Sequence, residues 1–142
     1  MRFMVIVKAD ERSEAGEMPS TELLAAMGAY NEELVKAGVM LAGEGIEPSS
    51  HGKRVDFAAD GAGSRVIDGP FAEAKEVIGG FWIWQVSSME EAVQWLRRAP
   101  FRGQQVELRR ILEPADFEGQ LPPEIIENEE RLRAQTAGKT EE

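Results

Sequence analysis

Apolar and polar positions repeat with two different periods along this chain, and the changes of period mark its elements. Residues 2–8 read Arg-Phe-Met-Val-Ile-Val-Lys. Phe3, Val5 and Val7 project to one side of an extended segment, Met4 and Ile6 to the other. Both sides are apolar, the pattern of a strand covered on both faces. Residues 9–19 form a polar connector containing Gly16 and Pro19. Ser20 then opens a helix: its hydroxyl can accept an early backbone N–H, and Glu22 suits the positive end of the dipole. Leu23, Met27, Tyr30 and Leu34 share one helical face, and Gly38 closes the helix.

A second strand starts at residues 39–41 and closes at Gly43-Glu44-Gly45. Residues 53–59 and 64–67 are the arms of a hairpin turned by Asp60-Gly61-Ala62-Gly63. The clearest strand is 81–86, with Phe81, Ile83 and Gln85 on one face and Trp82, Trp84 and Val86 on the other. Ser87 with Glu90, and Ser88 with Glu91, fit the capping-box spacing of a second helix. Met89, Ala92, Val93 and Leu96 form its expected buried stripe, and Pro100 marks its end. Residues 104–112 complete the sheet, Val106 and Leu108 alternating with Glu107 and Arg109. Beyond them lie a loop at 116–123, a helix begun by Pro122-Pro123-Glu124 with a narrow stripe of Leu121, Ile125 and Leu132, and an end at 137–142 expected to be disordered.

This order predicts an α+β fold, a ferredoxin-like sandwich in which an antiparallel sheet carries two helices on one face. The expected division is a domain over residues 1–112 and an acidic, partly helical arm over 113–142. In a monomer the second sheet face should be polar, and here it is not. Exposing four such side chains would forgo about 1.5–3 kcal/mol each. A second copy is the economical cover, which predicts a homodimer and a dimeric α+β barrel. The alternative is that the C-terminal segment folds over that face.

Composition narrows the function classes. The 142 residues include no cysteine, so thiolate metal sites, iron–sulfur clusters and a cysteine nucleophile are excluded. No apolar run approaches the roughly 20 residues of a membrane-spanning helix, and the opening apolar stretch is too short for a signal peptide. A cytoplasmic location without membrane partners is expected. The formal charge is −10, of which residues 113–142 carry −6. Such a surface repels phosphates, so no nucleic-acid partner is expected. Arg97-Arg98 with Arg102, and Arg109-Arg110, read as solvated charge.

Candidate chemistry gathers at residues 68–76, Asp-Gly-Pro-Phe-Ala-Glu-Ala-Lys-Glu. Gly69 permits dihedrals denied to other residues, Pro70 is expected to begin a short helical turn, and Phe71 is an apolar anchor. Glu73 and Glu76 would then share a face. Asp68, at the end of a strand, either shapes the turn through backbone N–H groups or serves as an acid–base carboxylate, with Glu73 and Lys75 assisting. Tyr30, Glu44 and His51 are the candidate ligand-binding residues. His51 is the lone histidine, which excludes multi-histidine metal sites, and no calcium-loop spacing appears; no metal is expected. Six residues separate Gly45 from Gly52, and Arg54 follows Lys53, against the phosphate-loop pattern. Gly43-Glu44-Gly45 lacks the third glycine of a dinucleotide fingerprint. No cofactor is therefore expected.

Residues 68–76 followed by Gly79-Gly80-Phe81 resemble the signature of the YCII-related family, in the longer branch named for its Asp-Gly-Pro-Phe motif. The opening strand, Tyr30-Asn31-Glu32-Glu33-Leu34, the Gly38 to Gly45 stretch, Pro48-Ser49-Ser50 and the helix from Ser87 add to the likeness, which spans residues 1 to about 112. The resemblance implies a ferredoxin-like dimeric α+β barrel. Shorter relatives pair a helix histidine with an aspartate, and that histidine position holds Met27 here. Two functions follow as expectations. One is a dimer that binds an unknown small organic ligand, with cofactor-independent proton transfer through Asp68 if it is an enzyme. The other is a non-enzymatic interaction or regulatory module, transcription-associated as some relatives are labelled, with the acidic arm as its contact.

Overall fold

The computed structural model describes residues 1–73 and 76–139. The chain forms two compact units, Met1–Arg110 and Ile111–Glu142. In the first, β1 (Arg2–Lys8) leads through α1 (Glu11–Glu14) and α2 (Thr21–Lys36) to β2 (Met40–Gly45). A 3₁₀ turn (Ser49–His51) precedes the hairpin of β3 (Lys53–Phe57) and β4 (Ser64–Asp68). Then come β5 (Ile78–Gln85), α3 (Met89–Arg97) and β6 (Val106–Arg110).

Four strands form an antiparallel sheet in the order β2-β5-β1-β6, and β3 and β4 pair as a separate ribbon. Opposite Phe3 in the register stands Trp84, and Val5 lies between Trp82 and Leu108. Those side chains face the helices. Phe3, Val5, Trp82 and Trp84 are buried with Tyr30 and Leu34 of α2 and Ala92 of α3. Trp84 has no exposed surface, and its indole N–H finds no acceptor among the described residues. Its place therefore rests on apolar burial, which outweighs the cost of one unsatisfied donor. Gly43 lets β2 approach this wall: a Cβ there would lie 2.6 Å from Cδ1 of Trp82.

Both helix starts follow their serines. Ser20 Oγ accepts the Leu23 N–H at 3.1 Å, and Ser88 Oγ accepts the Glu91 N–H at 3.1 Å. Glu91 accepts the Ser87 N–H at 2.7 Å rather than that of the cap residue Ser88, so the box expected there is not closed; Glu90 is exposed. Several expectations need correction. The polar connector contains α1, capped by Asp10 and Ser13 in a four-residue helix with no apolar stripe to announce it. The strand expected at 81–86 starts at Ile78, because Gly79 and Gly80 continue the ladder rather than stop it. The stripe of α3 is Ala92, Trp95 and Leu96, while Met89 and Val93 are exposed. Pro70 does not begin a helix; it follows a cis peptide bond from Gly69. The final strand is shorter than expected, 106–110 rather than 104–112.

The face turned away from α2 and α3 carries Met4, Ile6, Phe81 and Ile83 at its centre, all partly buried. Its edges are largely charged, apart from Ala42 of β2 opposite Ile83. Glu107 and Arg109 of β6 stand opposite Ile6 and Met4, and Glu44 of β2 opposite Phe81. Glu107 pairs with Lys8 at 3.8 Å and with Arg109 at 3.2 Å. The face is an apolar stripe inside a charged rim.

The second unit holds a 3₁₀ turn (Pro114–Phe117), where a plain loop was expected to follow, and α4 (Pro123–Ala137). Arg133 ties α4 to the start of its unit, donating to the Leu112 carbonyl at 3.2 Å and standing 3.6 Å from the Glu113 carboxylate. Leu121, Ile125 and Leu132 are exposed. Residues 140–142, within the end expected to be disordered, lie outside the described residues.

Candidate functional site

The Asp-Gly-Pro-Phe stretch builds a clamp between loops. Lys53 and Asp68 face each other at the open end of the β3–β4 ribbon, and the Lys53 ammonium lies 2.5 Å from the Asp68 carboxylate. Next, the Gly69 N–H donates to the Gly52 carbonyl at 3.0 Å. A Cβ on Gly69 would sit 1.7 Å from the Ser49 carbonyl oxygen, so only glycine allows this approach. The Phe71 N–H donates to Ser49 Oγ at 3.1 Å, and the Arg54 guanidinium lies 3.7 Å above the Phe71 ring, a cation–π geometry.

Ser49 is the knot of this arrangement and the one polar residue buried among those described. Its hydroxyl donates to Glu14 Oε2, and its N–H donates to Glu14 Oε1 at 3.0 Å. These two bonds hold the Glu14 carboxyl below the usual glutamate range. Glu14 ends α1, so the clamp fixes that helix. At the start of α1, Asp10 accepts the Ser13 N–H at 2.8 Å, and Ser13 Oγ accepts the Asp10 N–H at 2.9 Å.

The α1 segment also borders a cleft of about 710 Å³, within the range usual for small-molecule sites, about 300–1,000 Å³. Asp10, Arg12 and Ser13 form that wall. Leu23 and Ala26 of α2, with Pro100 and Phe101 after α3, supply apolar lining. Arg102 and Glu22 also border the cleft. Phe101 meets Trp82 edge to face at 5.9 Å, and Trp82 Nε1 donates to Asn31 Oδ1 of α2 at 3.0 Å. The apolar lining of the cleft is thus continuous with the rigid core.

The residues singled out by sequence do not converge. The Asp68 side chain is 76% exposed beside Lys53 rather than enclosed. Glu73 is exposed, and Lys75 lies outside the described residues. The Tyr30 hydroxyl is buried and donates to the Trp95 carbonyl at 2.6 Å; burial pushes the phenol pKa up. Glu44 lies on the second sheet face, opposite Phe81. His51 is exposed, its Nδ1 3.5 Å from the Glu47 carboxylate. The clamp brings the Asp68 and His51 segments together through Gly69, Ser49 and Gly52. None of the five described residues among them borders the cleft. Sequence reasoning missed Glu14, gave Ser49 no role beyond the family likeness, and read Arg102, beside Phe101, as solvated charge. The first two carry no spacing signal; the last is an arginine beside an aromatic in a loop after a helix. Among the described residues, no group of three or more histidines or carboxylates could hold a metal ion. No helix among them is long and apolar enough to cross a membrane.

Two β-α-β units feeding a sheet ordered β2-β5-β1-β6 define a ferredoxin-like α+β protein. The chain belongs to the YCII-related family: the model of the YCII-related domain matches residues 1–115. No curated protein matches the sequence. Among solved structures, the chain is similar to 5-chloro-2-hydroxyhydroquinone dehydrochlorinase from Burkholderia phenoliruptrix AC1100, solved as a complex with 2,5-dihydroxybenzoquinone. Identity is 21%, the match covers 80% of this chain and 95% of that chain, and the TM-score is 0.46.

Proposed function

We propose that this protein is a homodimer that binds a small organic molecule in the cleft between α1, the start of α2 and the α3–β6 connection. One observation carries the reading. The Glu14–Ser49 bonds brace the end of α1, while Asp10, Arg12 and Ser13 of the same segment line the cleft. A four-residue helix has little stability of its own, so a preformed wall needs such a brace. On this reading the Asp-Gly-Pro-Phe stretch shapes the site from outside. Asp68 then acts as a positioning residue, locking the ribbon to Lys53, and the cleft takes the ligand.

The dimer half of the proposal is supported by Met4, Ile6, Phe81 and Ile83 on the sheet face opposite the helices. A thermal-shift screen of small organic molecules tests the cleft, using the wild-type protein beside Ala26→Trp. The indole would fill the cleft from an exposed helical position. Compounds should raise the wild-type melting temperature and leave the variant unmoved. Equal shifts in both proteins, or no shift with any compound, would overturn the assignment.

A further inference from the structure

The charges around the cleft are not all balanced, and the imbalance points to a class of ligand, on the reading that this cleft is the binding site. Asp10 is engaged by the Ser13 N–H at 2.8 Å and by the Gln104 amide at 3.5 Å. Arg12 stands 4.0 Å from Glu17. The side chains of Glu22, in the first turn of α2, and Arg102, after α3, are exposed and make no hydrogen bond or ion pair among the described residues. One cation and one anion thus border the same cleft without partners, with the apolar surface of Phe101, Pro100 and Leu23 also lining it.

We propose that the cleft takes a zwitterionic amino acid with an apolar side chain. Its carboxylate meets Arg102, whose planar guanidinium suits a two-point carboxylate contact. Its ammonium meets Glu22, and its side chain lies on Phe101. A simple carboxylate makes no contact with Glu22 and adds a negative charge to a lining that already holds Asp10 and Glu17. A simple amine leaves Arg102 without an anion. A ligand with both charges contacts both residues.

Calorimetry on the full chain with three probes sharing one ring tests this: L-phenylalanine, phenylacetate and phenethylamine. Phenylalanine should bind at least about tenfold tighter than either of the others, the difference expected when one charged contact of about 1.4 kcal/mol is lost. Arg102→Gln should weaken phenylalanine and phenylacetate and spare phenethylamine. Glu22→Gln should weaken phenylalanine and phenethylamine and spare phenylacetate. Equal affinity for the three probes, or indifference of phenylalanine to both substitutions, would overturn the zwitterion. If phenylalanine fails to bind while other compounds stabilise the wild type and not Ala26→Trp, the ligand class falls and the cleft assignment stands. If phenylalanine binds Ala26→Trp as tightly as the wild type, both fall together.

Discussion

The carboxylate of Glu14 grips Ser49 at two points, taking its hydroxyl on one oxygen and its backbone N–H on the other. Ser49 in turn accepts the Phe71 N–H. Three segments far apart in sequence therefore meet at one buried hydroxyl. Removing that hydroxyl should be costly for its size. Ser49→Ala leaves the Phe71 N–H without its acceptor and takes one donor from Glu14. The expected loss is about 1–3 kcal/mol, read as a lower urea midpoint with an unchanged slope. A midpoint within error of wild type would mean that water replaces the hydroxyl freely.

The same contact makes acid stability sensitive to Glu14. Its pKa in the folded protein lies below the ordinary value of 4.5, because Ser49 donates to the charged form. A depressed carboxylate contributes stability that is fully present above its unfolded pKa and is lost as pH falls through the folded value. Stability should therefore decline below about pH 4.5. Asp10 and Glu91 are depressed by their own serine contacts and act in the same direction. Glu14→Gln isolates the share of Glu14: the variant should lose less on acidification than the wild type. Parallel pH profiles for the two proteins would remove Glu14 from the account.

Neighbouring residues of the motif should respond very differently. Gly69→Ala drives a methyl group into the Ser49 carbonyl, and the backbone must move, at a cost of roughly 2–4 kcal/mol. Asp68→Asn breaks an ion pair whose partners are 65% and 76% exposed, and such pairs are worth about 0–1 kcal/mol. Thermal melts of the two variants should differ by many degrees. If Asp68→Asn keeps its fold and ligand binding, the motif is a brace; if it keeps its fold and loses binding, Asp68 touches the ligand.

The sheet and its two long helices were legible because each has a strong period and a serine cap. Phe3, Val5, Trp82 and Trp84 alternate strictly, and Tyr30 and Leu34 sit a turn apart. The sheet side of the core therefore follows from spacing, whereas in α3 spacing put Met89 and Val93 where Trp95 packs. The clamp was not legible, because it depends on contacts between loops. Nothing in the spacing of Glu14, Ser49 and Phe71 says that they meet. Pro70 illustrates the same limit: its fixed φ suits a helix start, and contact with Ser49 and Gly52 settled the loop instead. The cleft was hidden for a further reason. It lies beside α1, a helix made by the Asp10–Ser13 capping box rather than by an apolar stripe, so periodicity passes over it.

The remaining prediction concerns the sheet face opposite the helices. β1 and β5 place Met4, Ile6, Phe81 and Ile83 there as adjacent cross-strand neighbours, and the edge strands add Glu44, Glu107 and Arg109 around them. An apolar centre with a charged rim is the composition of a protein interface. In the proposed dimer, Ile83→Lys would bury an ammonium against the partner's sheet without a counter-ion, which is strongly unfavourable. In a lone subunit the same lysine could extend from a partly buried position toward solvent, so the fold should survive. Light scattering at micromolar concentration should give twice the subunit mass for the wild type and the subunit mass for Ile83→Lys, with matching far-ultraviolet circular dichroism. A subunit mass for the wild type at that concentration would refute the dimer, and a dimeric Ile83→Lys would move the interface elsewhere.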